Sequence, residues 1–208
     1  FTANNETRED GKASGKNITI SKELSDSDLL KLWEDHLSGH QSVGIVAIDE
    51  HNKCVWGAID VDEYQLDLKD LAIKIAKQEL PLVLCRSKSG GAHIYIFLTE
   101  PVSASMLQRK LRQIAAAIGY GQVEIFPKQT KLLLDRGDRG STLNMPYFGG
   151  ENSTRYAYDK KGAAMTPEEF LNYAKEIELT PNELEKLEAS PLNETMDWLD
   201  QAPPCIQH

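Results

Sequence analysis

Residues 54–126 change hydrophobic period in a fixed order, and that order restricts the folds open to the chain. CVWGAIDV (54–61) is strand-like, DLKDLAIKIAKQEL (67–80) has helical period, and LVLCR (82–86) and HIYIFL (93–98) read as strands. SASMLQRKLRQIAAAIG (103–119) is helical again and stops at Gly119, and QVEIF (122–126) closes the run as a strand. The order β-α-β-β-α-β is that of the ferredoxin-like split unit, a four-stranded antiparallel sheet with both helices on one face. The short connections suit it.

That topology brings distant residues together. The first strand of such a unit lies between the third and the fourth and runs antiparallel to both. Its end therefore lies near their beginnings. Period two sets Ile59 and Val61 on one face and Asp60 and Asp62 on the other. Ile94, Ile96 and Leu98 face the helices, while His93, Tyr95 and Phe97 take the opposite face. Val123 and Ile125 point inward and Glu124 outward. Asp60, Asp62, His93 and Glu124 are thus expected to converge at one end of the sheet, with the Tyr95/Phe97 pair packing under an amino-terminal layer.

The flanks complete a mixed α/β (α+β) chain. Residues 1–24 form a polar tail or loop, with 1–17 especially poor in apolar residues. Ser25 to Ser38 is a helix that Ser25 can cap, and VGIVAI (43–48) forms a hairpin with 54–61 through the turn DEHNK. TKLLL (130–134) and STLNMPYF (141–148) are further short strands. Two helices start on Thr166-Pro167 and Thr180-Pro181, with Glu169 and Glu183 closing capping boxes. The expected organisation is a tail over 1–24, a catalytic core over 25–161 with its split unit at about 54–126, and an acidic helical extension or linker over 162–208.

Composition narrows the function. The net charge of −9 argues against a nucleic-acid partner, but the distribution argues for one. Residues 84–161 hold 12 Lys/Arg against 6 Asp/Glu, whereas 162–208 hold 2 against 10. Lys131, Arg136 and Arg139 in the basic third are candidate nucleic-acid contacts. Cys54, Cys85 and Cys205 are odd in number and form no CxxC or CxxH spacing, which argues against a disulfide scaffold and a zinc knuckle. No apolar run approaches the ~20 residues of a membrane span, and no signal peptide is expected. The expected location is cytoplasmic. The chain starts at Phe1 and ends at QAPPCIQH, so it is expected to be an excerpt of a longer protein.

Three converging carboxylates repel one another unless a cation compensates. Hard divalent ions such as Mg²⁺ or Mn²⁺ take oxygen ligands and keep positions open for phosphate. Asp60, Asp62 and Glu124 are the candidate ligands of a two-metal site for phosphoryl or nucleotidyl transfer. The loop RSKSGGAH (86–93) can then hold phosphates beside them. Gly90 and Gly91 admit a close backbone approach, and Arg86, Ser87, Lys88, Ser89 and His93 supply charge and hydrogen bonds.

These motifs resemble the archaeo-eukaryotic primase family, in particular the primase-polymerases of phages, plasmids and mobile elements. AIDVD carries the D-x-D/E motif as Asp60 and Asp62, RSKSGGAH is similar to the Ser/Gly-rich loop ending in histidine, and VEIFPKQ to the third acidic motif. STLNMPYF is similar to the segment ending in proline that often follows. The resemblance covers roughly residues 25–160. It implies a two-part core whose RRM-like half carries the carboxylates and whose amino-terminal α/β half closes over them. It also implies metal-dependent synthesis of a primer or DNA strand from nucleoside triphosphates on a single-stranded DNA template. Asp60, Asp62 and Glu124 then match metal ligands, Ser87, Ser89 and His93 phosphate contacts, and Lys128 a contact to the incoming nucleotide or template. His93 joins the carboxylates in the catalytic set. The family usually has Ser-x-His; here Ala92 precedes His93 and the nearest serine is Ser89. A bacterial or archaeal host cell, a phage or plasmid origin, and a helicase domain or protein following this chain complete what the resemblance implies.

The competing reading is a non-catalytic RRM-like nucleic-acid-binding or initiator module. RRM sheets read bases with open-face aromatics, and here carboxylates take that face. A rolling-circle endonuclease needs a His-x-His pair, which the chain lacks. A nucleotide cyclase shares a similar palm, but its usual hairpin signature is missing.

Overall fold

The computed structural model describes residues 2–4, 18–20, 24–63 and 65–189. Their strands are β1 (Thr2–Asn4), β2 (Ile18–Thr19), β3 (Ser42–Val46), β4 (Lys53–Val61), β5 (Val83–Arg86), β6 (Ala92–Ser103), β7 (Glu124–Phe126), β8 (Thr142–Asn144) and β9 (Ala157–Tyr158). Their α-helices are α1 (Asp26–Leu37), α2 (Leu68–Lys77), α3 (Ala104–Ala117), α4 (Pro167–Glu176) and α5 (Pro181–Lys186). One antiparallel sheet has the order β7-β4-β6-β5-β9 and the other the order β2-β1-β3-β8.

The helices begin where side chains can satisfy their first N–H groups. Ser25, Thr166 and Thr180 cap α1, α4 and α5 with reciprocal bonds to Asp28, Glu169 and Glu183. Asp67 and Ser103 cap α2 and α3. Each of these starts lies within a residue or two of its expected place.

Alternation along β4 and β6 sorts side chains into two cores. Ile59, Val61, Ile94 and Ile96 pack with Leu71 and Ile75 of α2 and with Leu107, Leu111 and Ile114 of α3. Ala58, Tyr95 and Phe126 point the other way and pack with Val43 of β3 and Leu143 of β8. The five-stranded sheet is therefore a middle layer, covered on one face by α2 and α3 and on the other by the second sheet. Each fully buried Ile or Leu contributes roughly 1.5–3 kcal/mol of burial free energy. His36 ties α1 to this second layer. Its Nδ1 accepts from the Val43 N–H at 3.0 Å and its Nε2 donates to the Pro146 carbonyl at 2.8 Å. The ring is buried and neutral, and burial lowers its pKa. The sequence reading did not single it out.

Four expectations change. Residues 43–48 and 54–61 do not form a hairpin. The turn is present, with the Asp49 N–H donating to the Lys53 carbonyl at 2.8 Å, but β3 pairs with β1 and β8 while β4 pairs with β6 and β7. Both edges of β4 are taken, so β3 has no place beside it. Residues 130–134 are not a strand: the Leu132 N–H donates to Asn52 Oδ1 at 2.6 Å, and the chain curls into a 3-10 turn at Leu134–Arg136. Residues 2–4, expected as tail, add a strand between β2 and β3. The strand at 93–98 continues to Ser103, pairing with Lys53 and Cys54 across a bulge.

The carboxy-terminal helices dock on the core as far as residue 189. Phe170 of α4 packs edge-on against Phe97 at 6.3 Å in the second core, and Leu184 of α5 is fully buried in the first. Between them Leu179 lies beside β6, its N–H donating to the Phe97 carbonyl and its carbonyl accepting from the Thr99 N–H, both at 3.0 Å. Trp198 and Cys205 lie outside the described residues. Cys54 and Cys85 are buried free thiols, and burial pushes Cys54 up to about 12.

Gly57 sets how closely α3 approaches β4. An added Cβ would lie 2.7 Å from Leu111 Cδ1 and 2.7 Å from the Phe126 carbonyl oxygen. Gly57→Ala is expected to destabilise the fold by about 1–3 kcal/mol, read as a lower urea midpoint at unchanged slope.

Candidate active site

The strand register builds the site. Asp60 lies opposite His93 across the β4–β6 pair and opposite Glu124 across the β4–β7 pair. The three sit in one line across the sheet, on the face away from α2 and α3. Asp62 follows just past the end of β4. All four expected residues line one cavity of about 600 Å³, together with Ser87, Lys88, Ser89 and Lys128. Thr142, Leu143 and Asn144 of β8 form the far wall, with Phe126 beside them.

The loop between β5 and β6 is shaped from within. The Ser87 N–H donates to the Gly91 carbonyl at 2.9 Å, and the Gly90 N–H to the Ser87 carbonyl at 3.3 Å. Gly90 takes φ +98°, which favours glycine. Gly91 has a stricter reason: an added Cβ would stand 2.1 Å from the Val61 carbonyl oxygen. Its missing side chain lets the loop lie directly on the end of β4. Ser87 and Ser89 face each other at 2.9 Å between hydroxyl oxygens, and Ser89 Oγ donates to Asp62 Oδ1 at 2.7 Å. Ser89 is the serine in contact with a site carboxylate, and Ser87 is buried behind it.

The structure does not bring every expected residue to this cavity. Arg86 turns away, donating from Nη1 to the Thr154 carbonyl at 3.3 Å, and lines a neighbouring cavity with Gly90. Lys131, Arg136 and Arg139 are exposed along 131–139 and do not line the carboxylate cavity. Lys128 does, its Nζ 2.5 Å from Glu124 Oε2 and 5.0 Å from the Phe126 ring centre.

His93 is held at the back of the site. Its Nε2 lies 3.4 Å from Asp60 Oδ1 and its Nδ1 3.3 Å from the Tyr95 hydroxyl. Tyr95 also donates to the Asn144 carbonyl at 3.3 Å. The sequence reading missed the polar role of Tyr95 and Asn144. The signal for Tyr95 was present, because a residue two past His93 on a strand must share its face. No sequence signal placed the Asn144 carbonyl there.

The charges agree with this geometry. Burial, then repulsion from Asp62 and Glu124, raises Asp60 to about 6, with Lys128 only partly offsetting them. Burial, with the Arg155 guanidinium nearby, lowers His93 to about 4. At neutral pH the contact is therefore between a neutral imidazole and a carboxylate, not between two ions.

Among the described residues no group of three His, Cys, Asp or Glu side chains stands in a metal-holding arrangement. Asp62 is engaged by Ser89 and Glu124 by Lys128. The donors nevertheless suit a hard cation: they are carboxylate oxygens, they face one cavity, and their mutual repulsion disfavours the charged form of Asp60. Asp60, Asp62 and Glu124 are the residues that would hold it.

A family model described as the archaeo-eukaryotic primase domain of TOTE conflict systems matches residues 5–178. No curated protein matches the chain.

The raised Asp60 pKa has a definite sign. Between about 4 and 6 the folded chain holds a proton on Asp60 that the unfolded chain releases, so this group's contribution to stability falls as pH rises through that window. Without divalent cations, Asp60→Asn is expected to be more stable than the parent at pH 7.5, by about 1–3 kcal/mol. The difference should shrink toward pH 4, as urea unfolding of both proteins across pH would show. A constant difference would reject the charge repulsion.

Proposed function

The chain belongs to the archaeo-eukaryotic primase domain family of TOTE conflict systems, and we propose that it is a metal-dependent nucleotidyltransferase that joins nucleoside triphosphates on a single-stranded DNA template. The observation that carries this reading is the register that aligns His93, Asp60 and Glu124, with Asp62 and the Ser/Gly loop beside them. The sheet order β7-β4-β6-β5 follows the fourth, first, third and second strands of an RRM-like unit and supports the expected catalytic half. The second sheet and α1, which cover it, suit the amino-terminal half.

In the proposed reaction an acceptor hydroxyl oxygen loses its proton to solvent and bonds to the α-phosphorus, the α–β bridging P–O bond breaks, and pyrophosphate leaves with the electron pair. Divalent cations, bound as Mg²⁺ or Mn²⁺, would neutralise phosphate charge and acidify the acceptor hydroxyl. Asp60, Asp62 and Glu124 orient that end of the substrate and hold the negative charge that recruits the cations. Ser89, released from Asp62, and Lys88 are placed to contact the phosphates. His93 is fixed by Tyr95 and keeps Asp60 in position. Lys128 can exchange Glu124 for substrate phosphate, since both partners are solvent-accessible. The exposed cations Lys131, Arg136 and Arg139 are proposed contacts to the template strand.

The matching family is described for a conflict system, and the replication of a phage or plasmid, expected from the sequence, gains no support from it. No helix of the described residues is long and apolar enough to cross a membrane.

Purified protein with Mn²⁺ or Mg²⁺, nucleoside triphosphates and single-stranded DNA is expected to extend or start a strand. Asp60→Asn or Asp62→Asn should reduce the rate by at least about a thousandfold, the scale of losing a central electrostatic group. Retained synthesis in both variants would remove these residues from the site. Template binding without synthesis by the parent would favour the non-catalytic module.

A further inference from the structure

We propose that the cavity on the far side of the 86–91 loop binds the outer phosphates of the nucleoside triphosphate, through Arg86 and Lys69. This rests on the nucleotidyl-transfer reading, which sets the α-phosphate over Asp60 and Asp62. The cavity has a volume of about 450 Å³ and is lined by Arg86, Lys69 and Tyr158. Ser89 lines both cavities, so the loop is a shared wall rather than a barrier. A triphosphate whose reacting end meets the carboxylates has its other phosphates directed along or past Ser89.

Both cations are positioned, and both are unspent. One nitrogen of Arg86 is fixed on the Thr154 carbonyl, and a guanidinium carries five N–H donors in all. Its Nη2 lies beside the loop, where a Cβ added at Gly90 would stand in ordinary contact with it at 3.5 Å. The stem of Lys69 lies against Gly162, where an added Cβ would be 2.3 Å from Lys69 Cγ. The missing side chain of Gly162 thus leaves room for the Lys69 stem. None of the ion pairs found among the described residues engages Lys69 or Arg86. The acidic residue of the cavity, Asp67, is committed to capping α2, its Oδ1 accepting from the Asp70 N–H at 2.9 Å. Two cations against one carboxylate leave the lining of the cavity net positive. Arg86 contributes planar, multidentate recognition and Lys69 a point charge, a pairing suited to phosphate oxygens.

The test uses inorganic tripolyphosphate as the probe, titrated calorimetrically into the full chain without divalent cations. The parent is expected to bind it, and Lys69→Ala and Arg86→Ala to bind at least about tenfold more weakly, the scale of one charge-assisted hydrogen bond. Asp60→Asn should keep tripolyphosphate binding while losing synthesis. Lys69 is exposed, so its variant remains informative if the Arg86 variant fails to fold. A 5′-phosphorylated oligonucleotide, titrated in parallel, separates the two sources of phosphate. Loss of its binding with tripolyphosphate binding intact would overturn the assignment in favour of strand phosphate. Unchanged tripolyphosphate binding in both variants would overturn the site altogether. Binding that depends on Lys69 and Arg86 in a parent without synthesis would support the cavity and overturn the nucleotidyl-transfer reading alone.

Discussion

Everything at the carboxylate end depends on the register of one strand. Over Ala58–Asp60 β4 is paired on both edges, and Ala58 and Ile59 are buried on its opposite faces, so it can neither slide nor turn. Its pairing with β6 fixes His93 opposite Asp60, and its pairing with β7 fixes Glu124 there too. A slip of one residue would carry Asp60 into the α2/α3 core and Ile59 into the cavity. The apolar side chains of two cores hold a charged constellation that would otherwise repel itself. The stability of the middle layer and the geometry of the site are consequently one property.

The strand order was legible because it follows from period alone, and the convergence of Asp60, Asp62, His93 and Glu124 followed from strand order. What sequence could not give was the neighbourhood of each side chain. Arg86 belongs to the loop motif by position, yet its guanidinium leaves the carboxylate cavity, because an attachment point 68 residues away, the Thr154 carbonyl, is visible only in the fold. The hairpin expected at 43–61 was a sound inference from its turn. It failed because pairing is decided by which edges remain open after the whole sheet forms. Leu132 to Leu134 are apolar enough for a strand, yet only Leu132 finds a core. The glycines in the loop were legible as residues of special freedom, but the contact of Gly91 with Val61 is a long-range fact.

The site also shows how a buried network limits its own chemistry. The Tyr95 hydroxyl bridges the Asn144 carbonyl and His93 Nδ1, so the ring presents its Nε2 edge to Asp60. β8 thereby reaches into the carboxylate face through a main-chain atom, which no side-chain substitution on β8 removes directly. The second sheet does more than cover apolar surface, since it orients the histidine. The two halves of the chain meet at a hydrogen bond as well as at a packed core.

The segment around Leu179 lies along β6 where β5 no longer pairs, and it passes from α4 on one face of the sheet to α5 on the other. It closes the sheet the way a hem closes cloth. The backbone groups of Phe97 and Thr99 would otherwise stand as an open edge, able to pair with any extended chain. A fragment ending before this crossing would keep all the residues of the carboxylate cavity. It would also carry an adhesive border, so self-association of such a fragment would reflect the lost hem and not an assembly of the intact chain.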